Sequence, residues 1–214
     1  MIAGFVNAVA ILDTHEAATH LTGVTTAATA AVALGNWPVA TILDLVALAF
    51  MIGAAISGAL LRAPRWQSMR HVSVPFFLEA ASLFAGGLWL DVYPTTGVAL
   101  CAFAVGLQNG TSTIITGALI RTSHVTGILT DLAVSLGQAF RGQAWDRRRA
   151  SVCGMVFGGF AVGAFAGAWA FHHWSGLALV CPAAAAAVVG LWHVKIGTKS
   201  RPSPLATDRT AQVR

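Results

Sequence analysis

Two short stretches, His20-Leu-Thr-Gly23 and His124-Val-Thr-Gly127, place an imidazole, a hydroxyl and a glycine at the same spacing. Histidine titrates near neutral pH, threonine can satisfy freed backbone groups, and glycine permits turns closed to other residues. If Thr22-Gly23 and Thr126-Gly127 sit at helix starts, the free amides there can hold an anion or a polar solute; the same residues serve packing equally well. Asn7 and Asn109, each closing a Gly-x-x-Asn run, hydrogen-bond either a solute or a neighbouring helix. Glu79 lies near the middle of the apolar run Val72 to Leu90, where an ionised carboxylate costs at least about 2.5 kcal/mol. It either exchanges a proton or stays neutral and hydrogen-bonded between helices. Asp131 is a second candidate for proton exchange. Asp44, roughly two turns into its own apolar run, is a third that lipid headgroups would equally solvate.

Other chemistry is missing from the sequence. There is no HExxH, no phosphate-binding glycine loop and no Ser/His/Asp order, so no enzymatic activity, cofactor or metal site is expected. His172 and His173 are adjacent, about 100° apart on a helix, and do not chelate by themselves. Cys101, Cys153 and Cys181 fall inside apolar runs without CxxC spacing and read as small core residues.

The elements that must carry these residues are set by composition. Of 214 residues 56% are hydrophobic and 10% charged, with mean hydropathy +0.71, against about 25% charged in a soluble domain. The lipid bilayer is therefore the chain's first partner. A net charge of +5 follows no nucleic-acid motif, and no nucleic-acid partner is expected. Met1 to Leu12 lacks the basic start and cleavage site of a secretory signal. Five runs are long enough to span as helices: Pro38 to Leu61, Val72 to Leu90, Thr96 to Ile120, Ser151 to Phe171 and Gly176 to Val194. Ile2 to Leu12 and Ala17 to Leu34 are shorter apolar pieces.

Charge orients the runs. The 13 Lys and Arg residues fall in Arg62–Arg70, Arg121, Arg141–Arg149 and the tail from Lys195, which the positive-inside rule places in the cytoplasm. The Asp13–Glu16, Gly35–Trp37, Asp91–Thr95 and His172–Ser175 connections carry none and fall outside. Trp37, Trp89, Trp169 and Trp174 with Tyr93 mark the outer ends, and Trp66, Trp145 and Trp192 the inner ones. Ser123 to Phe140 then begins and ends inside, and Ala17 to Leu34 begins and ends outside. Ser123 to Phe140 is amphipathic, with His124, Asp131, Ser135 and Gln138 on one face. Each of the two is expected to be either a re-entrant helix lining a cavity or a helix lying in the interface.

The halves repeat. Gly4-Phe-Val-Asn7 recurs as Gly106-Leu-Gln-Asn109, the two HxTG stretches follow in the same order, and Pro75 matches Pro182. Three crossings per half force opposite insertion, so the expected fold is all-α, with about six transmembrane helices as two inverted repeats, residues 1–90 and 91–196. A flexible basic tail, 197–214, follows. Inverted repeats build transporters with midplane sites beside broken helices. Ile2 to Leu12 is only about 16 Å of helix, so the first span is either a half-helix or begins upstream of Met1. Gly154, Gly158, Gly159, Gly163 and Gly167 form a close-packing ladder on the fifth span, within one protomer or between two.

GFVNAVAIL, AATHLTG, CAFAVGLQNG and IRTSHVTGILTDL resemble the YoaK-like family of bacterial multi-pass membrane proteins, a domain of unknown function. The resemblance runs from Gly4 to Val194, and the second-half motif is the more specific. It departs from the family pattern at Asn7, where the family has an acid, and at Val24, where it has an asparagine. The resemblance implies a bacterial inner membrane and about six spans, and supplies no substrate. Two readings follow. The first is a transporter or channel for a small polar or ionic solute, its C-terminus cytoplasmic. The alternative is a scaffold that dimerises through the fifth span.

Overall fold

The computed structural model describes residues 1–14, 18, 20–61, 69–117, 122–143 and 146–199. Arg62, Arg65, Arg121 and the tail beyond Lys199, all read from the sequence as cytoplasmic, lie outside the described residues. Among the described residues eight α-helices follow in order: α1 Ile2–Thr14, α2 Leu21–Ala33, α3 Trp37–Leu60, α4 Met69–Trp89, α5 Pro94–Thr116, α6 Val125–Phe140, α7 Arg147–Trp174 and α8 Val180–Lys199. A 3₁₀ turn, Ser175–Leu179, separates the last two. No strand occurs among the described residues.

Local chemistry fixes the helix ends. Pro94 starts α5 at a position where its missing N–H costs nothing, and Gly117, at φ 62°, stops it in the left-handed conformation that glycine alone adopts freely. The run read as reaching Ile120 therefore ends as a helix at Thr116. Asn36 accepts from the Val39 amide at the start of α3, and Asp146 from the Arg149 amide at the start of α7. Among the described residues four stretches are long and apolar enough to cross a membrane: Trp37–Leu60, His71–Trp89, Pro94–Thr116 and Arg147–Ile196. The fourth, 50 residues long, holds α7 and most of α8. α1, α2 and α6 are shorter apolar helices.

Close backbone contacts give the helix directions. α3 runs parallel to α5: a Cβ on Gly106 would strike the Phe50 carbonyl, one on Gly53 the Phe103 carbonyl, and one on Gly110 the Ala54 carbonyl. α1 runs parallel to α7 in the same manner, Gly4 against the Phe160 carbonyl, Gly163 against Met1 and Gly167 against Phe5. The sequence repeats with the contact, since Phe50-x-x-Gly53-Ala54 recurs as Phe160-x-x-Gly163-Ala164. α4 runs antiparallel to α8, from Gly87 beside Gly176 to Phe77 beside Gly190 and Phe76 stacked on His193 at 5.3 Å. Without a hydrophobic drive between helices in lipid, such small-residue contacts supply the association.

These directions place α2 and α6. α2 ends at the turn that begins α3, at the same end as Asp91; there Asp91 Oδ1 accepts from the Gly176 amide at 3.1 Å. α6 ends at the turn that begins α7, at the opposite end. The two short helices thus start in the middle and leave in opposite directions.

One side-chain bond reinforces the α3–α5 contact. Ser57 Oγ donates to the Leu107 carbonyl at 2.7 Å and lies 3.2 Å from Thr111 Oγ1, all buried. Gly167 stands at the corresponding place in α7, against the Phe5 carbonyl. Because a hydrogen bond between membrane helices is worth about 0.6 kcal/mol on average and at most about 1.7, Ser57→Ala is expected to lower unfolding free energy by that small amount. Reversible unfolding in mixed micelles measures it.

Candidate functional site

The starts of α2 and α6 open on one cavity of about 810 Å³. His20 and Thr22 line it from one side, and Ser123, His124, Thr126 and Gly127 from the other. Asn109 and Gly110 of α5 and Phe50 and Ala54 of α3 complete its wall. The sequence brackets the two HxTG stretches a hundred residues apart, and the fold brings them to one space.

The two starts are built alike. His20 and His124 are the N-cap residues, and neither caps its helix with a side-chain hydrogen bond. Each ring instead lies across its own first turn: a Cβ on Gly23 would collide with the His20 ring, and one on Gly127 with the His124 ring. Glycine at the fourth position of HxTG is therefore a requirement of imidazole placement. Thr26 Oγ1 donates to the Thr22 carbonyl at 2.8 Å, and Thr130 Oγ1 to the Thr126 carbonyl at 2.9 Å. The first-turn amides, which have no partner within their helix, carry the positive end of each helix dipole. Free amides at a helix start can hold an anion or a polar oxygen.

Asn109 ties the second start to α5. It is 7% exposed; its Nδ2 donates to Ser123 Oγ at 2.7 Å, and its Oδ1 accepts from Thr122 Oγ1 at 3.0 Å and from the Ser123 amide at 3.4 Å. The chain leaves α5 at Gly117 and by Thr122 is level again with Asn109, roughly two turns back. Thr122 Oγ1 also lies 2.9 Å from Gln108 Oε1, and Gln108 Nε2 donates to Glu79 Oε1 at 2.8 Å. Glu79, 1% exposed on α4, is thereby joined to Asn109 of the cavity wall through Thr122 and Gln108, the latter a residue that sequence alone does not single out. The only signal is Gln108 standing beside Asn109 in an apolar helix.

The remaining candidates lie elsewhere. Asn7 is half-buried in α1, outside the cavity wall. Asp44 is exposed on α3. Asp131 pairs with Arg149 at 3.1 Å, both half exposed, between α6 and α7. Of the glycine ladder, Gly163 and Gly167 receive α1, Gly159 touches Met1 at ordinary distance, and Gly154 and Gly158 face open space. Among the described residues no cluster of His, Cys, Asp and Glu is arranged to hold a metal.

Long apolar helices around an open, partly polar cavity mark a multi-helix membrane protein. Within that class the chain belongs to the family described as protein of unknown function (DUF1275), whose model matches residues 1–192. No curated protein and no solved structure matches it.

Proposed function

We propose that the protein carries a small polar or anionic solute across a bacterial inner membrane through the cavity between His20 and His124, its C-terminus cytoplasmic. In this reading α1, α3 and α4 form one three-span repeat and α5, α7 and α8 its inverted counterpart. α2 and α6 are re-entrant helices, one entering from each face. The observation that carries the reading is the meeting of two helix starts of identical design, running in opposite directions, in one cavity. Support for the inversion comes from the exchanged contacts: α3 with α5 and α7 with α1, through the same Phe and Gly positions. Alternating exposure of that cavity to the two sides is the transport step, as inverted repeats allow.

The test is flux of a panel of small anions and neutral polar solutes into liposomes holding the purified protein. Saturable uptake of at least one solute is expected, and Gly127→Ala should reduce it by at least about tenfold, because its Cβ drives the His124 ring from its seat. A thiol at Asn36 should label only from outside and one at Gln143 only from inside. Labelling of both from one face would end the inverted arrangement. Zero flux across the panel would instead favour the scaffold reading, to which the open Gly154 and Gly158 faces lend support as a second protomer's contact.

A further inference from the structure

We propose that Gln108 is a two-position amide switch that converts protonation of Glu79 into a change of hydrogen bonding on the cavity wall, making a proton the coupling ion of the transport step. The word coupling rests on the transport reading; the switch does not, and it is tested on protein without solute.

The inference follows from donor counting. An ionised carboxylate only accepts, so Gln108 must turn its NH₂ toward Glu79, as it does at 2.8 Å, and its Oε1 toward Thr122. The Thr122 hydroxyl has one hydrogen and two acceptors, Gln108 Oε1 at 2.9 Å and Asn109 Oδ1 at 3.0 Å. When Glu79 takes one proton from water on Oε1, the oxygen that faces Gln108, the new O–H is a donor toward Gln108. The Gln108 amide then rotates by half a turn about its last torsion: its carbonyl oxygen accepts from Glu79, and its NH₂ turns to Thr122. The Thr122 oxygen now accepts, and its single hydrogen is committed to Asn109. Loss of the proton to water reverses every step. Asn109 and Ser123 are cavity wall, so the carboxyl state is written at the start of α6 without Glu79 entering the cavity.

Other titratable groups stand on the helices packed around α4: Cys101 of α5, Cys181, His193 and Lys195 of α8, and Asp44 of α3. His193 is the closest in register, stacked on Phe76 with its Nδ1 2.9 Å from the Val189 carbonyl. It is therefore the control.

Infrared difference spectra of the full chain in liposomes, acid minus alkaline, read both ends of the switch. Wild type should show a carboxyl band and a side-chain amide band changing with one shared midpoint. Glu79→Gln should remove both, Gln108→Leu should retain the carboxyl band and lose the amide change, and His193→Phe should leave both. A thiol at Thr113, on the cavity wall, should label with a severalfold step at that midpoint after correction for thiol ionisation. Thr122→Val should flatten the step. Unshared midpoints in wild type, a measurement that needs no variant to fold, overturn the switch; so does a labelling step that survives Gln108→Leu or Thr122→Val. Flux with no such step overturns the switch and leaves transport standing. A step without flux does the reverse.

Discussion

Gly106→Leu is expected to leave almost no folded protein, whereas Gly137→Leu should accumulate like wild type. At Gly106 the Cβ would lie on the Phe50 carbonyl and within 3.0 Å of the Phe50 Cα, so the obstacle is main chain. A displaced side chain can choose another rotamer; a helix backbone moves only by separating α3 from α5. That separation would undo the reciprocal contact of Gly53 with Phe103 and the buried bond from Ser57 to the Leu107 carbonyl. Overpacking of a well-filled interior costs about 1–3 kcal/mol and sometimes more, and here several contacts fail together. That is a large share of the roughly 5–15 kcal/mol that holds a typical protein folded. A Cβ on Gly137, in α6, would meet nothing within 4 Å. Size-exclusion profiles of both variants in mild detergent decide it; a monodisperse Gly106→Leu peak equal to wild type would show that the α3–α5 contact is looser than described.

Asn109→Leu should be the second most damaging change. Leucine matches asparagine roughly in size but meets none of three partners: Ser123 Oγ, the Ser123 amide and Thr122 Oγ1. Thr122 Oγ1 keeps Gln108 as a partner and the lost bonds are part-buried, so each costs toward the low end of about 1–3 kcal/mol, but the chain returning from Gly117 loses its anchor to α5. Asn109→Asp keeps an acceptor for Thr122 and for the Ser123 amide, so it should recover part of the loss. The expected order of unfolding midpoints is wild type, then Asp, then Leu. Solute uptake, if it runs through this cavity, should vanish with Leu. Equal midpoints for Leu and wild type would mean that the start of α6 is held by something other than Asn109.

Much of this architecture is legible in the sequence because hydrocarbon imposes it. Runs such as Pro38 to Leu61 and Val72 to Leu90 fall within a few residues of α3 and α4, since a membrane helix has little freedom in length or polarity. The paired HxTG stretches, a hundred residues apart in the sequence, line one cavity in the fold. Less legible are features made by two distant segments. Glu79 alone gives no indication of Gln108, which becomes its partner only when α4 lies beside α5. The glycine ladder of α7 gives spacing but not occupancy: α1 fills the half at Gly163 and Gly167 and leaves Gly154 and Gly158 open. Asp131 sits on the polar face that its spacing predicts, yet Arg149 and solvent claim it. Spacing assigns a face; tertiary contact decides what the face meets.

The exchanged helix pairs bear on the order in which the chain is made. α1 closes on α7 and α3 on α5, so neither sequence half contains the partner of its own first or third element. α1 leaves the ribosome more than a hundred residues before Gly163 and Gly167 and must wait for them before its Gly4 face is covered. Contacts this distant in sequence delay folding and leave early segments open to wrong partners. In the meantime α1, only 13 residues long, must be held by lipid or by a helper protein at the insertion site. The symmetry that would serve a two-sided pathway therefore brings a biogenesis problem, and the newborn chain is the stage at which damage to Gly4 should be felt first.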